Sequence, residues 1–173
     1  VTFFFNGGEE TVYPGENRIM IPSPKISTYD LKPEMSAKIV ETELISSIKN
    51  KTYDIIIVNF ANPDMVGHTG DLNAAIKAVE TVDTAIGNIT DVIVRFDGIM
   101  LLTADHGNCE IMFDKIMNLP HTSHTCNKVP LILITKNKDY ELKNGRLADI
   151  APTILELISI KSPKSMNGES LLI

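Results

Sequence analysis

Acidic side chains and histidines gather in three short stretches of this sequence. Residues 62–70 and 103–108 each hold one aspartate beside or near a histidine, and residues 119–130 hold two histidines. One histidine alone is more often held by ordinary hydrogen bonds than by a metal. In this sequence every histidine lies near the end of an apolar run, and two aspartates lie close by. This pattern indicates metal ligands. The candidates are Asp64, His68, Asp105, His106, His121 and His124.

Carboxylate and imidazole ligands together favour Mn²⁺ or Zn²⁺ over Ca²⁺, which prefers oxygen ligands throughout. The residues leave the choice between Mn²⁺ and Zn²⁺ open. The candidates are too many for one four-coordinate site and too few to saturate two ions, which indicates a two-metal site with further ligands elsewhere. Cys109 and Cys126 could add thiolates, but we favour packing in the core or in a loop for both.

The elements around these residues alternate in the manner of a layered α/β fold. The apolar run YDIIIVNF at residues 53–60 predicts a strand covered on both faces, and further strands are expected at 1–5, 99–103 and 129–135. A strand, a helix and a second strand in succession predict two parallel neighbouring strands that the helix joins by a right-handed crossover. Because the carboxyl ends of parallel strands share one edge, both Asp and His pairs should meet there.

Three helices are expected, and residues 107–128 are expected to form an irregular loop. The first helix begins near Pro33 and ends near residue 50, the second is capped by Asp71, and the last is opened by Asp149 with Pro152 in its first turn. Helical spacing predicts the buried face of each helix. For the first helix the face is Ile39, Val40, Leu44, Ile45 and Ile48, and for the second it is Leu72, Ala75, Ile76, Val79, Val82 and Ile86. For the last helix it is Ile150, Ile154, Leu157 and Ile158.

The composition of the chain excludes some classes of function. The chain has 173 residues, enough for one domain, with 43% hydrophobic and 22% charged residues. A net charge of −6 argues against a general nucleic-acid binder. The apolar runs are too short to span a bilayer, and no export signal is visible, so we expect a cytoplasmic protein with reduced cysteines. Because the sequence opens without Met on an apolar run, we expect a piece of a longer chain.

Several long motifs resemble those of the cofactor-independent phosphoglycerate mutases, members of the alkaline phosphatase superfamily. The stretches are VTFFFNGGEE, SPKISTYDLKPEMSA, NPDMVGHTG, TADHGN, HTSHTCNKVP and LADIAPTILELI, in that order along nearly the whole chain. Lys128 departs from the family, which usually has proline before this VP pair. The resemblance implies an alkaline-phosphatase-like layered α/β fold with a mostly parallel central sheet flanked by helices.

The same resemblance implies two Mn²⁺ ions at a phosphate site and no bisphosphoglycerate cofactor. By position in the motifs, Asp64, His68 and His124 would hold one ion, and Asp105 with His106 would contribute to the other. His124 is favoured over His121 because it precedes the Thr-x-Asn of the family motif. His121 would then lie behind the ligands or on the surface.

The family reaction interconverts 3-phosphoglycerate and 2-phosphoglycerate through a phosphoserine. The resemblance implies that residues 1–173 are the C-terminal part of the phosphatase-like domain, and that the nucleophilic serine, another metal-binding aspartate and an inserted phosphotransferase domain are absent. We therefore expect no catalytic residue here, weak metal binding and no turnover by the chain alone. The complete enzyme is expected to be a monomer that takes a small phosphoglycerate substrate, with no nucleic-acid or membrane partner.

Other residues receive a structural interpretation. Ser123 is the best local nucleophile, but its context matches a structural loop; Arg18 and Lys25 are interpreted as solvated charges. Gly67 and Gly70 relieve strain in a tight loop, since the spacing and lysine of a phosphate-binding loop are missing. Two alternatives stay open: another superfamily phosphotransferase such as a phosphopentomutase, and a non-catalytic metal-binding module.

Overall fold

The computed structural model describes residues 2–136 and 139–173. Its helices are α1 Thr2–Phe5, α2 Ala37–Lys49, α3 Asn62–Gly67, α4 Leu72–Arg95 and α5 Ile150–Leu157. Its strands are β1 Met100–Thr103, β2 Phe113–Asp114, β3 Leu119–Pro120 and β4 Leu131–Ile134. Short 3-10 turns occupy Tyr29–Leu31 and Leu147–Asp149. No helix in this described part of the chain combines the length and apolarity needed to cross a bilayer.

Helix α4 is the long element of the fold, and its start is as predicted. The Asp71 carboxylate accepts a hydrogen bond from the Ala74 backbone N–H at 2.8 Å, which satisfies one free donor of the first turn. The predicted buried face is partly wrong, because Leu72, Ile76 and Val79 are exposed. Of the predicted face only Ala75 is buried, and the other buried residues of α4 are Ala74, Ala78, Ala85 and Ile89. The small alanines allow α2 and α3 to approach α4 closely.

Helix α2 begins at Ala37, later than predicted. Met35 has a φ of 44°, which lies in the left-handed region, so a continuous helix from Pro33 cannot pass through it. The face packed on α4 carries the buried side chains Ala37, Glu41, Leu44 and Ser47. Only Leu44 belongs to the predicted face, and Ile39 is exposed, because the position of α4 decides which stripe is covered.

The predicted strands at 99–103 and 129–135 form β1 and β4. They pair in antiparallel register, with Leu101 opposite Leu133 and Leu102 opposite Ile132. The predicted irregular loop at 107–128 contains a small antiparallel hairpin of β2 and β3. Both strand pairs in the described residues are therefore antiparallel, and the predicted parallel crossover from residues 53–60 is not formed.

Two predicted strands are wrong for this chain. Residues 53–60 join no ladder among the described residues, and Ile55, Ile56, Ile57 and Val58 are between 38% and 45% exposed. A strand needs a neighbour to satisfy its backbone N–H and C=O groups, and within residues 2–136 and 139–173 no strand pairs with this run. The run predicted at residues 1–5 instead closes one helical turn from Thr2 to Phe5, in which Asn6 N–H donates to the Thr2 carbonyl at 2.9 Å.

The C-terminal helix α5 is held by a different contact from the one predicted. The Asp149 carboxylate does not cap α5; it accepts from the backbone N–H groups of Arg146 at 2.7 Å and Glu169 at 3.0 Å. This ties the tail to the turn before the helix. The buried residues of α5 are Pro152 and Thr153, and the predicted face of Ile150, Ile154, Leu157 and Ile158 is half-buried or exposed.

A small core joins the elements that carry the candidate ligands. Val66 of α3 packs with the alanines of α4 and with Met112 from the loop after β1. Tyr29, Met35 and Cys109 pack against this cluster from its edge. Because Val66 and Met112 both belong to this core, it packs residues 62–70 and 105–112 against the N-terminal part of α4.

Candidate metal centre

Two of the predicted ligands lie at the short helix α3, which the sequence interpretation treated as a loop: Asp64 is in the helix and His68 is its C-cap. Pro63 stands in the first turn, where its missing N–H costs no hydrogen bond. One turn later the His68 backbone N–H donates to the Asp64 carbonyl at 3.1 Å. Residues four apart lie on one face of a helix, so Asp64 and His68 project together, with Oδ1 and Nε2 3.1 Å apart.

The third ligand arrives from the loop after β3. His124 Nε2 lies 2.9 Å from Asp64 Oδ1 and 3.1 Å from His68 Nε2. Asp64, His68 and His124 thus bring one oxygen and two nitrogen atoms within 4.8 Å of one another. The structure brings together three side chains separated by up to sixty positions in the sequence.

The orientation of His68 fits a metal ligand. Its Nδ1 lies 2.7 Å from the Thr122 carbonyl oxygen, which can only accept, so Nδ1 carries the proton. In the neutral ring Nε2 would then carry the lone pair with which an imidazole binds a metal. Metal-binding histidines in proteins are commonly fixed this way, by donating the other ring N–H to a carbonyl or a carboxylate. One carboxylate oxygen and imidazole nitrogens form a donor set suited to Zn²⁺ or Mn²⁺.

The second predicted pair lies beside this cluster but is not part of it. His106 stacks on His124 with ring centroids 3.6 Å apart and an angle of 18° between the planes. Its Nε2 is 3.9 Å from Asp64 Oδ1 and 3.6 Å from Asp105 Oδ1. The Asp105 side chain is 80% exposed, so its carboxylate faces solvent at the edge of the group.

His121 is directed elsewhere. Its backbone N–H donates to the Met112 carbonyl at 3.0 Å, which extends the β2 and β3 hairpin, and its Nε2 is buried without a hydrogen-bond partner. The structure therefore places the two histidines of this loop in different surroundings. Ser123 is exposed and lies outside the Asp64 cluster, and Arg18 pairs with Glu16.

Asn108 and Glu110 are residues of this region that the sequence interpretation missed. Asn108 is only 5% exposed, and its Nδ2 donates to Asp64 Oδ1 at 2.9 Å. Glu110 accepts from the Thr125 hydroxyl, from Asn127 Nδ2 at 3.0 Å and from the Asn108 backbone N–H at 2.6 Å. These hydrogen bonds, with that of Thr125 foremost, lower the pKa of Glu110. Their sequence signal is weak: they are polar residues two and four positions after His106.

Cys109 and the nearby glycines have structural roles. Cys109 Sγ donates to the Pro63 carbonyl at 2.8 Å, and burial raises the pKa of this thiol, which keeps it protonated. Cys126 is exposed and outside the cluster. Gly70 has a φ of 76°, as expected of a tight turn. Gly67 is helical and instead allows close approach, since a Cβ there would lie 2.2 Å from Asn108 Oδ1.

Known proteins resemble this chain over nearly its whole length. The model of the Metalloenzyme superfamily matches residues 1–162. The chain is 55% identical over 172 residues to the 2,3-bisphosphoglycerate-independent phosphoglycerate mutase of Rhodopseudomonas palustris, covering 99% of this chain and 34% of the relative. It is 54% identical over 173 residues to "2,3-bisphosphoglycerate-independent phosphoglycerate mutase 1" of Methanosarcina barkeri, covering 100% of this chain and 34% of that protein.

A solved structure gives the same result for the fold. A crystal structure of Leishmania mexicana phosphoglycerate mutase at low cobalt concentration superposes with a TM-score of 0.91 and 30% identity, covering 100% of this chain and 35% of that one. The chain thus spans about a third of the length of the relatives it matches. The predicted resemblance and the alkaline-phosphatase-like α/β fold class are confirmed, and divalent metal use follows from them. The chain belongs to the Metalloenzyme superfamily.

Proposed function

We propose that residues 1–173 are the C-terminal, metal-binding part of the phosphatase-like domain of a phosphoglycerate mutase. The enzyme interconverts 3-phosphoglycerate and 2-phosphoglycerate through a phosphoserine and needs no bisphosphoglycerate. One observation carries the proposal: Asp64, His68 and His124 converge within 4.8 Å in a chain that resembles such mutases along its whole length. The nucleophilic serine and the inserted phosphotransferase domain belong to segments outside these residues.

Two Mn²⁺ ions complete the proposed site. Asp64, His68 and His124 would hold the first ion, and Asp105 with His106 would supply part of the ligand set of the second, whose other ligands would come from a segment outside residues 1–173. When bound, the ions supply fixed positive charge that stabilises an alkoxide nucleophile and offsets the charge of a transferring phosphoryl group. The exposed Asp105 carboxylate supports this division, because it leaves room for ligands from another segment.

The chain's own residues hold the ligands in place before any substrate arrives. Thr122 fixes the His68 ring through its carbonyl oxygen, and Asn108 holds the Asp64 carboxylate through a hydrogen bond of 2.9 Å. A ligand set fixed in advance does not have to reorganise as charge develops. The proposed substrate is a small phosphoglycerate, and the complete enzyme is proposed to act as a monomer in the cytoplasm.

A coupled assay tests this function. Conversion of 3-phosphoglycerate to 2-phosphoglycerate is measured in Mn²⁺ without bisphosphoglycerate, first with this chain and then with the polypeptide extended through the coding sequence upstream of Val1. We expect turnover only with the extended polypeptide. Turnover by the short chain would place a nucleophile within residues 1–173 and overturn the split site. Two folded but inactive proteins would contradict the mutase assignment and favour another phosphotransferase or a binding module.

A further inference from the structure

The loop at residues 107–110 contacts both sides of the Asp64 cluster. On one side Asn108 Nδ2 donates to Asp64 Oδ1 at 2.9 Å and to the Asp64 carbonyl at 3.4 Å, and Cys109 Sγ donates to the Pro63 carbonyl at 2.8 Å. These bonds join the loop to α3 across more than forty positions of sequence. The loop is therefore attached to the helix that carries Asp64 and His68.

On the other side the same loop is attached to the segment that carries His124. Thr125 backbone N–H donates to the Gly107 carbonyl at 2.9 Å in an isolated β-bridge. The Glu110 carboxylate accepts from the Thr125 hydroxyl and, at 3.0 Å, from Asn127 Nδ2. Glu110 also accepts from the Asn108 backbone N–H at 2.6 Å, so the contacts on the two sides are linked.

We propose that Asn108 and Glu110 are positioning residues that together form a clamp, setting the separation of Asp64 from His124. Asn108 fixes the carboxylate, and Glu110 fixes the loop from which the imidazole projects. This inference deepens the proposed function, because it rests on the cluster being a metal site. Residues that orient metal ligands in this way commonly change metal affinity by about 10–100-fold when they are replaced.

The environment of Asn108 supports a single orientation of its amide. The side chain is 95% covered, and Oδ1 is buried against Gly67 without a hydrogen-bond partner. Turning the amide over would place Oδ1 beside the Asp64 carboxylate and give the two oxygens no proton to share. The structure thus leaves an acceptor unsatisfied while it keeps the donor on Asp64. The amide is therefore held in the orientation that donates to Asp64, although this leaves a buried acceptor unpaired.

Mn²⁺ titration of the 173-residue chain tests the clamp. The electron paramagnetic resonance signal of free Mn²⁺ falls as the ion binds, which gives the affinity of the cluster directly. We expect Asn108→Ala and Glu110→Gln to weaken binding about 10–100-fold. Asn88→Ala is the matched control, since Asn88 Nδ2 donates to the Glu41 carboxylate at 3.0 Å between α2 and α4, away from the cluster. The control should bind like the wild type.

The outcomes separate the two proposals. No Mn²⁺ binding by the folded wild-type chain would overturn the proposed metal function and the clamp with it. Binding by the wild type with unchanged affinity in both folded clamp variants would overturn the clamp alone. Thr125→Val, which removes one donor to Glu110 and keeps the side-chain shape, decides the question if Glu110→Gln does not fold.

A spectroscopic measurement excludes a general loss of stability as the cause. The visible absorption of Co²⁺ at saturating concentration reports the geometry of its ligands. We expect altered bands in Asn108→Ala and unaltered bands in Asn88→Ala. Identical bands in the wild type and in Asn108→Ala would show that Asn108 does not position Asp64.

Discussion

His121 and His124 lie in one loop but have different surroundings, and only His124 contacts Asp64. We expect His124→Ala to abolish the mutase activity of the extended polypeptide, because it removes a nitrogen ligand from the proposed first ion. The folded state should remain, since the His124 side chain is partly exposed. The coupled assay and a thermal unfolding curve measure the two effects.

His121→Ala provides the control for that experiment. The substitution removes a buried nitrogen without a partner, and the variant should keep its activity. Full activity of His124→Ala, or an equal loss of activity in both variants, would show that His124 is not the ligand that distinguishes the two histidines.

Gly67 and Gly87 are both helical glycines, but their surroundings differ. A Cβ at Gly67 would lie 2.2 Å from Asn108 Oδ1, whereas a Cβ at Gly87 has no atom within 4 Å. Gly87→Ala should raise the free energy of unfolding by about 0.5–1 kcal/mol, because alanine is the better helix former. Gly67→Ala should lower it by about 1–3 kcal/mol through overpacking against Asn108. Urea unfolding checks both, and a stabilised Gly67→Ala would contradict the close contact.

Sequence reasoning at the residue scale selects side chains by their distinctive chemistry. Asp64, His68 and His124 were all predicted as ligands, and the structure brings them together. Asn108 and Glu110 were missed, because an amide or carboxylate in a loop acquires its role only through distant partners. The Asn108 contact spans 44 positions and the Asn127 contact of Glu110 spans 17, so neither partner could be identified from local spacing.

At the scale of elements, the N-terminus of α4 depends on one side chain. Asp71→Ala removes the acceptor for the Ala74 N–H and should lower the free energy of unfolding by about 1 kcal/mol. Asp71→Asn keeps an acceptor oxygen and should lose much less. Urea unfolding of the two variants measures the difference. Equal losses would show that the hydrogen bond to Ala74 is not what stabilises this helix start.

The Asp149 contact makes the attachment of the tail dependent on pH. The Arg146 side chain first, and then the backbone N–H groups of Arg146 and Glu169, lower the pKa of Asp149 from 3.8 to about 2. The folded state therefore favours the charged carboxylate, whose contribution is complete above about pH 4 and is lost as the pH falls toward about 2. Asp149→Asn should be less stable than the wild type at neutral pH.

The difference in unfolding free energy between wild type and Asp149→Asn should shrink as the pH falls below about 4. Urea unfolding at a series of pH values measures it. Glu156→Gln, which alters an exposed carboxylate of α5, is the control and should show no comparable trend. A difference that stays constant down to about pH 3 would contradict the charged contact.

Local sequence signals predicted the positions of helices and strands more reliably than they predicted which faces of the helices are buried. The start of α4 has a capping residue, and β1 and β4 are continuous apolar runs. The covered face of α4 could not be predicted in this way, because both its leucine, isoleucine and valine stripe and its alanine stripe have helical spacing. Burial of the alanine stripe depends on how closely α2 and α3 approach, which is a property of the assembled fold.

At the scale of the whole molecule, the chain exposes apolar surface. Ile55–Val58 and the α4 residues Leu72, Ile76 and Val79 are partly exposed. Because the chain spans about a third of its relatives, we expect other segments of the complete protein to cover these residues. Residues 53–60 have the composition of a central strand. They form no strand here because the described residues contain no strand that pairs with them.

A dye that binds apolar surface tests this expectation. The fluorescence of 1-anilinonaphthalene-8-sulfonate should increase markedly with the native short chain and much less, per molecule, with the extended polypeptide. Equal fluorescence from the two proteins would contradict the covering of these residues by further segments.

Asp64, His68 and His124 form the proposed metal site, and an anomalous difference map would locate the bound ion. Crystals of this chain grown with Mn²⁺ would be measured on both sides of the manganese absorption edge. We predict a peak within bonding distance of Asp64 Oδ1, His68 Nε2 and His124 Nε2. A map with bound Mn²⁺ elsewhere, or with no peak among these atoms at saturating Mn²⁺, would contradict the account.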